Sequence, residues 1–123
     1  MDKNVDKFIC IAQLLYLYLF LIKQLNSMTN FKDLKFTKRF DGVGSLHKFD
    51  NGITLSVVAG VGRYCTPRES HPSADSYSSF EVGIWGKDGR WLTQDIVPNH
   101  DNDVIGWQSR EEIDEIISLI KLK

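Results

Sequence analysis

Arg63, Tyr64, Cys65, Arg68, His71 and Tyr77 crowd into one stretch, Gly60 to Ser79, that shows no hydrophobic periodicity. Two guanidinium forks match phosphate or carboxylate oxygens, and tyrosine rings offer faces on which a planar base stacks. Trp85, just beyond the stretch, adds a third aromatic surface. The candidate ligand-binding set is therefore Arg63, Tyr64, Arg68, His71, Tyr77 and Trp85, directed at a small anionic, nucleotide-like molecule or at a partner protein. Connections between strands usually run about 4–6 residues, so a loop this long either binds something or stays disordered. The competing reading is a wet loop in which Pro67, Pro72, the serines and the charges remain solvated.

Other groups suggest catalysis less directly. Cys65 with His71 could form a thiol–imidazole pair or begin a metal site, with only His47 and His100 left to complete it, at spacings unlike those of zinc sites. A nucleophilic Cys65 would need a cation such as Arg63 or Arg68 to lower its pKa. An enzyme centred on Cys65 and His71 thus stands as an alternative; ordinary loop residues are the simpler expectation. Asp101 and Asp103 lack the later glutamate of a calcium loop, and one of them is expected to cap a short turn through Val104-Ile105-Gly106. No paired carboxylates, nucleophile elbow, phosphate loop or dinucleotide fingerprint occurs. No catalytic residue, metal ligand or cofactor is assigned.

The elements that must hold these residues are legible. Leu34–Phe40 alternates weakly, as an edge strand does. Leu46–Asp50 and Ile53–Ala59 flank Asn51-Gly52, the favoured pair for a two-residue type I′ turn. Phe80–Gly86 is expected to turn through Lys87-Asp88-Gly89 and return along Arg90–Gln94. Phe80, Val82 and Ile84 share one face of that strand, with Glu81, Gly83 and Trp85 on the other. Ser109 and Glu112 have capping-box spacing, and Ile113, Ile116, Ile117 and Ile120 form one helical stripe. The fold class is α+β: an antiparallel sheet of about four to five strands, a C-terminal amphipathic helix packed on it, and an N-terminal hydrophobic helix.

A chain of 123 residues builds one core. Hydrophobic content of 42%, charged content of 25% and a formal charge of −1 exclude wholesale disorder and an extended nucleic-acid surface. Cys10 and Cys65 sit in such different contexts that a disulfide between them is not expected, which suits a reducing compartment. Phe8–Ile22 is interrupted only by Gln13, yet a membrane span needs about 20 apolar residues. Residues 1–27 are read as a hydrophobic extension: an anchor, a helix packed on the domain or a partner, or, as the favoured reading, a consequence of start-site choice. Residues 28–123, opening at Met28, form the single α+β domain. Membrane attachment can come only through residues 8–22. The short edge strand leaves room for a homodimer.

From Asp50 onward the chain resembles a group of small bacteriophage-encoded proteins. The likeness rests on Asp50-Asn-Gly-Ile-Thr-Leu-Ser-Val-Val, Phe80-Glu-Val-Gly-Ile-Trp with its Lys-Asp-Gly turn, Asp103-Val-Ile-Gly-Trp and Ser109-Arg-Glu-Glu-Ile-Asp-Glu-Ile-Ile. It covers about sixty residues after Met28 and omits most of the 60–79 loop. Turn, core and cap residues dominate these positions, so the resemblance implies a shared fold. It also implies an accessory role in host takeover or counter-defence, acting on a host component in the host cytoplasm, with the inner membrane as the alternative if residues 8–22 anchor the chain.

Overall fold

A computed structural model describes residues 11–21 and 29–123 of the chain. Cys10, Met28 and the two ends of the hydrophobic run lie outside the described residues. Five strands form one antiparallel sheet in chain order: β1 (Thr37–Arg39), β2 (Gly42–Lys48), β3 (Thr54–Gly60), β4 (Phe80–Trp85) and β5 (Val104–Gln108). Among the described residues three α-helices accompany them: α1 over residues 11–21, α2 (Thr93–Ile96) and α3 (Arg110–Lys121).

The β2–β3 hairpin forms where Asn51-Gly52 stands, with Lys48 opposite Thr54 and Gly42 opposite Gly60. Its turn is wider than the expected two-residue type. Phe49 N–H donates to Ile53 O (2.8 Å), closing a loop over residues 50–52, and only Gly52 takes a positive φ (+86°). Asn51 acts instead through its side chain. Its Oδ1 accepts from Ile53 N–H and its Nδ2 donates to Ile120 O (2.9 Å), tying the turn to the end of α3.

Helix α3 starts as its sequence dictates. Ser109 Oγ accepts from Glu112 N–H, and Glu112 Oε1 accepts from Ser109 N–H, a complete capping box. Ile113, Ile116, Ile117 and Ile120 are buried against Leu55, Val57, Val82 and Ile84 on one face of the sheet. This two-layer packing is the core, and each fully buried aliphatic side chain contributes about 1.5–3 kcal/mol. Phe31, Phe36 and Phe80 add an aromatic cluster at its edge, with ring centroids 5.0–5.7 Å apart.

Three local expectations change. The first strand is only Thr37–Arg39, because Phe31–Asp33 forms a 3₁₀ turn that drops Phe31 and Leu34 into the core. Arg90–Gln94 is not a strand. Trp91 makes a single bridge to Trp85, and the chain then enters α2. The buried Thr93 hydroxyl accepts from Ile84 N–H (3.0 Å) and donates to Asp103 O (2.6 Å), so a side chain takes over from a ladder. The true neighbour of β4 is Val104–Gln108, where a capped turn was expected.

Every apolar large side chain of α1 from Ile11 to Leu21 is exposed, from 50% at Phe20 to 71% at Tyr16. Among the described residues no helix is long and apolar enough to cross a membrane.

Candidate functional site

Most side chains of the 60–79 stretch are exposed, as a solvated loop requires, yet defined hydrogen bonds tie its backbone to the sheet as a platform. Its first turn is pinned to the β1–β2 connection, where Val61 N–H donates to Asp41 O (2.8 Å) and Arg63 Nε meets Asp41 Oδ2 at 2.9 Å. Thr66 pairs across the loop with Ser79 in an isolated bridge. Tyr77 is the internal anchor: its hydroxyl donates to Glu69 O (2.5 Å) and accepts from His71 N–H (2.9 Å). Arg110, the first residue of α3, holds the stretch from below. Its guanidinium donates to Tyr77 O (2.8 Å) and Ala74 O (3.1 Å) and lies about equally far from the rings of Phe31 (5.1 Å) and Phe80 (5.2 Å). Planar delocalised charge suits that position, since guanidinium stacks on aromatic faces while its edge donates.

The sheet face opposite α3 carries the site. Alternation along the strands puts Leu46, Ser56, Gly83 and Val104 in one cross-strand row and Gly44, Val58 and Glu81 in the next. Two glycines make the floor low enough for large groups to lie flat on it. A Cβ at Gly44 would come within 2.3 Å of Arg39 Nε, and one at Gly83 within 3.0 Å of Trp91 Cζ3. The guanidinium of Arg39 and the indole of Trp91 therefore rest on backbone. Together with Arg63, Trp85 and the floor residues they bound an open groove of about 270 Å³. Trp85 and Trp91 meet edge to face, ring centroids 5.6 Å apart.

The platform supplies one wall of this groove. Tyr64 N–H donates to Glu81 Oε2 (2.9 Å), and Tyr64 O accepts from Trp107 N–H (2.8 Å). Tyr64 sits directly on Gly106, where an added Cβ would come within 2.6 Å of Tyr64 Cβ. Beyond this wall Trp107, at φ +51°, turns its indole outward against the Tyr64 ring (5.3 Å), and the Arg68 guanidinium lies over that ring at 5.6 Å. Positive φ is a costly conformation for a bulky residue, and such strain concentrates at working surfaces.

The sequence-derived set divides accordingly. Arg63 and Trp85 line the groove, and Tyr64 and Arg68 form the rim beyond it. Tyr77 cannot serve as a stacking face, because it is 1% exposed and packs toward Phe80. His71 is turned away from the groove's lining, its ring against Tyr77 and its Nε2 3.0 Å from Glu69 Oε2. Cys65 is a buried free thiol whose Sγ accepts from Gly60 N–H (3.2 Å), a packing role that leaves no route to a substrate. Among the described residues no cluster of three His, Cys, Asp or Glu is placed to hold a metal ion.

Arg39, Trp91, Gly44 and Gly83 escaped the sequence reading as site residues. The available signal was the small-residue row: Ser56 and Gly83 fall on the face opposite the core, where a solvated sheet would ordinarily carry larger polar side chains. Among the described residues neither Arg39 nor Arg68 has a salt-bridge partner. In the groove Arg63 is already paired with Asp41, which leaves Arg39 as the guanidinium without an ion-pair partner among the described residues, beside the carboxylate of Glu81. Such a surface can bind an anion and stack a planar ring. No protein-family model, curated protein or solved structure matches the chain.

Proposed function

We propose that this chain is a non-enzymatic binding module of the phage accessory type, acting in counter-defence by capturing a nucleotide-like anion in the open-face groove. The observation that carries the reading is the Arg39 guanidinium, lying on Gly44 without a salt-bridge partner among the described residues, in the same groove as the Trp85–Trp91 pair. Arg39 and the free edge of Arg63 receive phosphate oxygens, where forked donors give charge-assisted hydrogen bonds. A base stacks on Trp91, the more exposed of the two indoles at 48%. Glu81, with one oxygen engaged by Tyr64 N–H, offers the other to a hydroxyl or amino donor of the ligand.

A second reading has one observation in its favour. Leu46 and Trp91 in the groove and Trp107 beyond its wall are exposed, and exposed apolar groups of this size mark protein contacts. A host protein would then cover the same face.

Thermal-shift measurements on the full chain against the common mononucleotides test the primary reading. Ligand at about 100 times its Kd stabilises a folded protein by about 2.7 kcal/mol, an unmistakable rise in melting temperature. The rise should be absent in Arg39→Ala. If no nucleotide raises the melting temperature of the unmodified chain, the small-ligand reading is wrong and the protein-partner reading takes its place.

A further inference from the structure

The groove does not end the aromatic surface. On the far side of the Arg63–Tyr64 wall stands a second stacking platform, the 53%-exposed indole of Trp107 backed by Tyr64, with Arg68 over the Tyr64 ring. Trp107 belongs to a β-bulge in which Gly106 and Trp107 together oppose Glu81, and its φ of +51° there turns the indole outward instead of along the pleat. The register gives the separation of the two platforms. Trp91 rests on Gly83, Gly83 pairs with Val104, and Tyr64 rests on Gly106, two residues farther along β5. One strand spacing across and two residues along place the footholds about 8 Å apart.

Arg63 lines the groove next to Tyr64 in the chain. Its Nε is engaged by Asp41, which leaves the outer edge of its guanidinium facing the groove that it lines. The face thus carries Arg39, Arg63 and the Trp85–Trp91 pair in the groove, and the Tyr64–Trp107 pair with Arg68 at its rim.

We propose that the ligand of this surface is a dinucleotide. One base stacks on Trp91 and the second on Trp107, and the phosphates lie at the guanidiniums of the groove, Arg39 and Arg63. This rests on the nucleotide reading of the groove and specifies how much of the ligand lies outside it. A single strand laid over an aromatic sheet face gains affinity with each stacked base and little sequence preference, since every base has a π-face.

The test is isothermal titration calorimetry of the full chain with 5′-phosphorylated dinucleotides and, separately, with the four 5′-mononucleotides. Dinucleotides should bind at least about tenfold more tightly, the gain expected from one more stacked base. Trp107→Gly, whose new residue suits a φ of +51°, should leave mononucleotide affinity unchanged while lowering dinucleotide affinity to the mononucleotide level. Trp91→Ala should weaken both ligands. Mononucleotide binding with no dinucleotide advantage, or an equal loss of both ligands in Trp107→Gly, overturns the two-platform proposal and leaves the groove reading standing. Failure of every nucleotide to bind overturns the groove reading, and this proposal with it.

Discussion

Arg110 occupies an awkward place for a cation, the first position of α3, where the helix dipole is positive and a positive charge costs about 0.3–1 kcal/mol. It stays because it donates to two carbonyls of the platform, Tyr77 O and Ala74 O, while its plane lies near two phenylalanine rings. Hydrogen bonds from a charged donor are each worth about 1.5–3 kcal/mol, and each cation–π contact at a half-buried site adds about 0.5–1 kcal/mol. Taking the lower ends and subtracting the dipole term, Arg110→Ala should destabilise the domain by about 3 kcal/mol. For a domain of this size that lowers the melting temperature by about 12–24 °C. Arg110→Lys keeps the charge but cannot fork between two carbonyls, and should lose about half as much. Urea denaturation gives the free energies, and amide exchange shows where they act: Thr66, Ser78 and Ser79 should exchange faster in the alanine variant. A loss under about 0.5 kcal/mol, the size of an ordinary surface change, with unaltered exchange over 66–79 would refute the reasoning that α3 holds the platform.

Two further outcomes follow from single contacts. Gly44→Ala places a methyl group where Arg39 now lies, and because the obstructed atoms belong to a flexible side chain the fold should keep its stability. Nucleotide affinity should nonetheless fall about tenfold, as expected when a guanidinium loses its seat beside a phosphate; unchanged affinity in titration calorimetry would remove Arg39 from the site. Residues 29–123 expressed alone should melt at the temperature of the full chain, since the apolar side chains of α1 are exposed rather than buried; a large fall in a calorimetric scan would show that α1 packs on the domain.

What could be read from the sequence was local and periodic. Asn51-Gly52 marked a hairpin because few other pairs tolerate the backbone of a tight turn, and the isoleucine stripe behind Ser109 marked α3 because caps and 3.6-residue periodicity agree. The second hairpin misled for a physical reason. Lys87-Asp88-Gly89 does make a turn, but Thr93 then satisfies the backbone of Ile84 with its hydroxyl, and a pattern-based reading has no means of seeing a side chain substitute for a strand. β5 was hidden because its register shift opposite Glu81 and the positive φ at Trp107 break alternation. The site was half legible. The 60–79 stretch stood out by composition, so Arg63, Tyr64 and Arg68 were found. Arg39 and Trp91 reach the groove only across Gly44 and Gly83, contacts set by cross-strand register rather than by neighbours in the chain. Tyr77 looked like a surface aromatic in a polar segment; its hydroxyl bonds to Glu69 and His71 instead allow the ring to be buried.

A nitrogen–proton correlation NMR titration of the full chain with a saturating nucleotide bears most directly on the open face as the working surface. Shifts should concentrate on the Trp91 and Trp85 indole N–H groups and on the amides of Ser56, Gly83 and Tyr64, with α3 amides from Ile113 to Ile120 unmoved. Saturable shifts confined to α3, or spectra unchanged by every nucleotide, would contradict it.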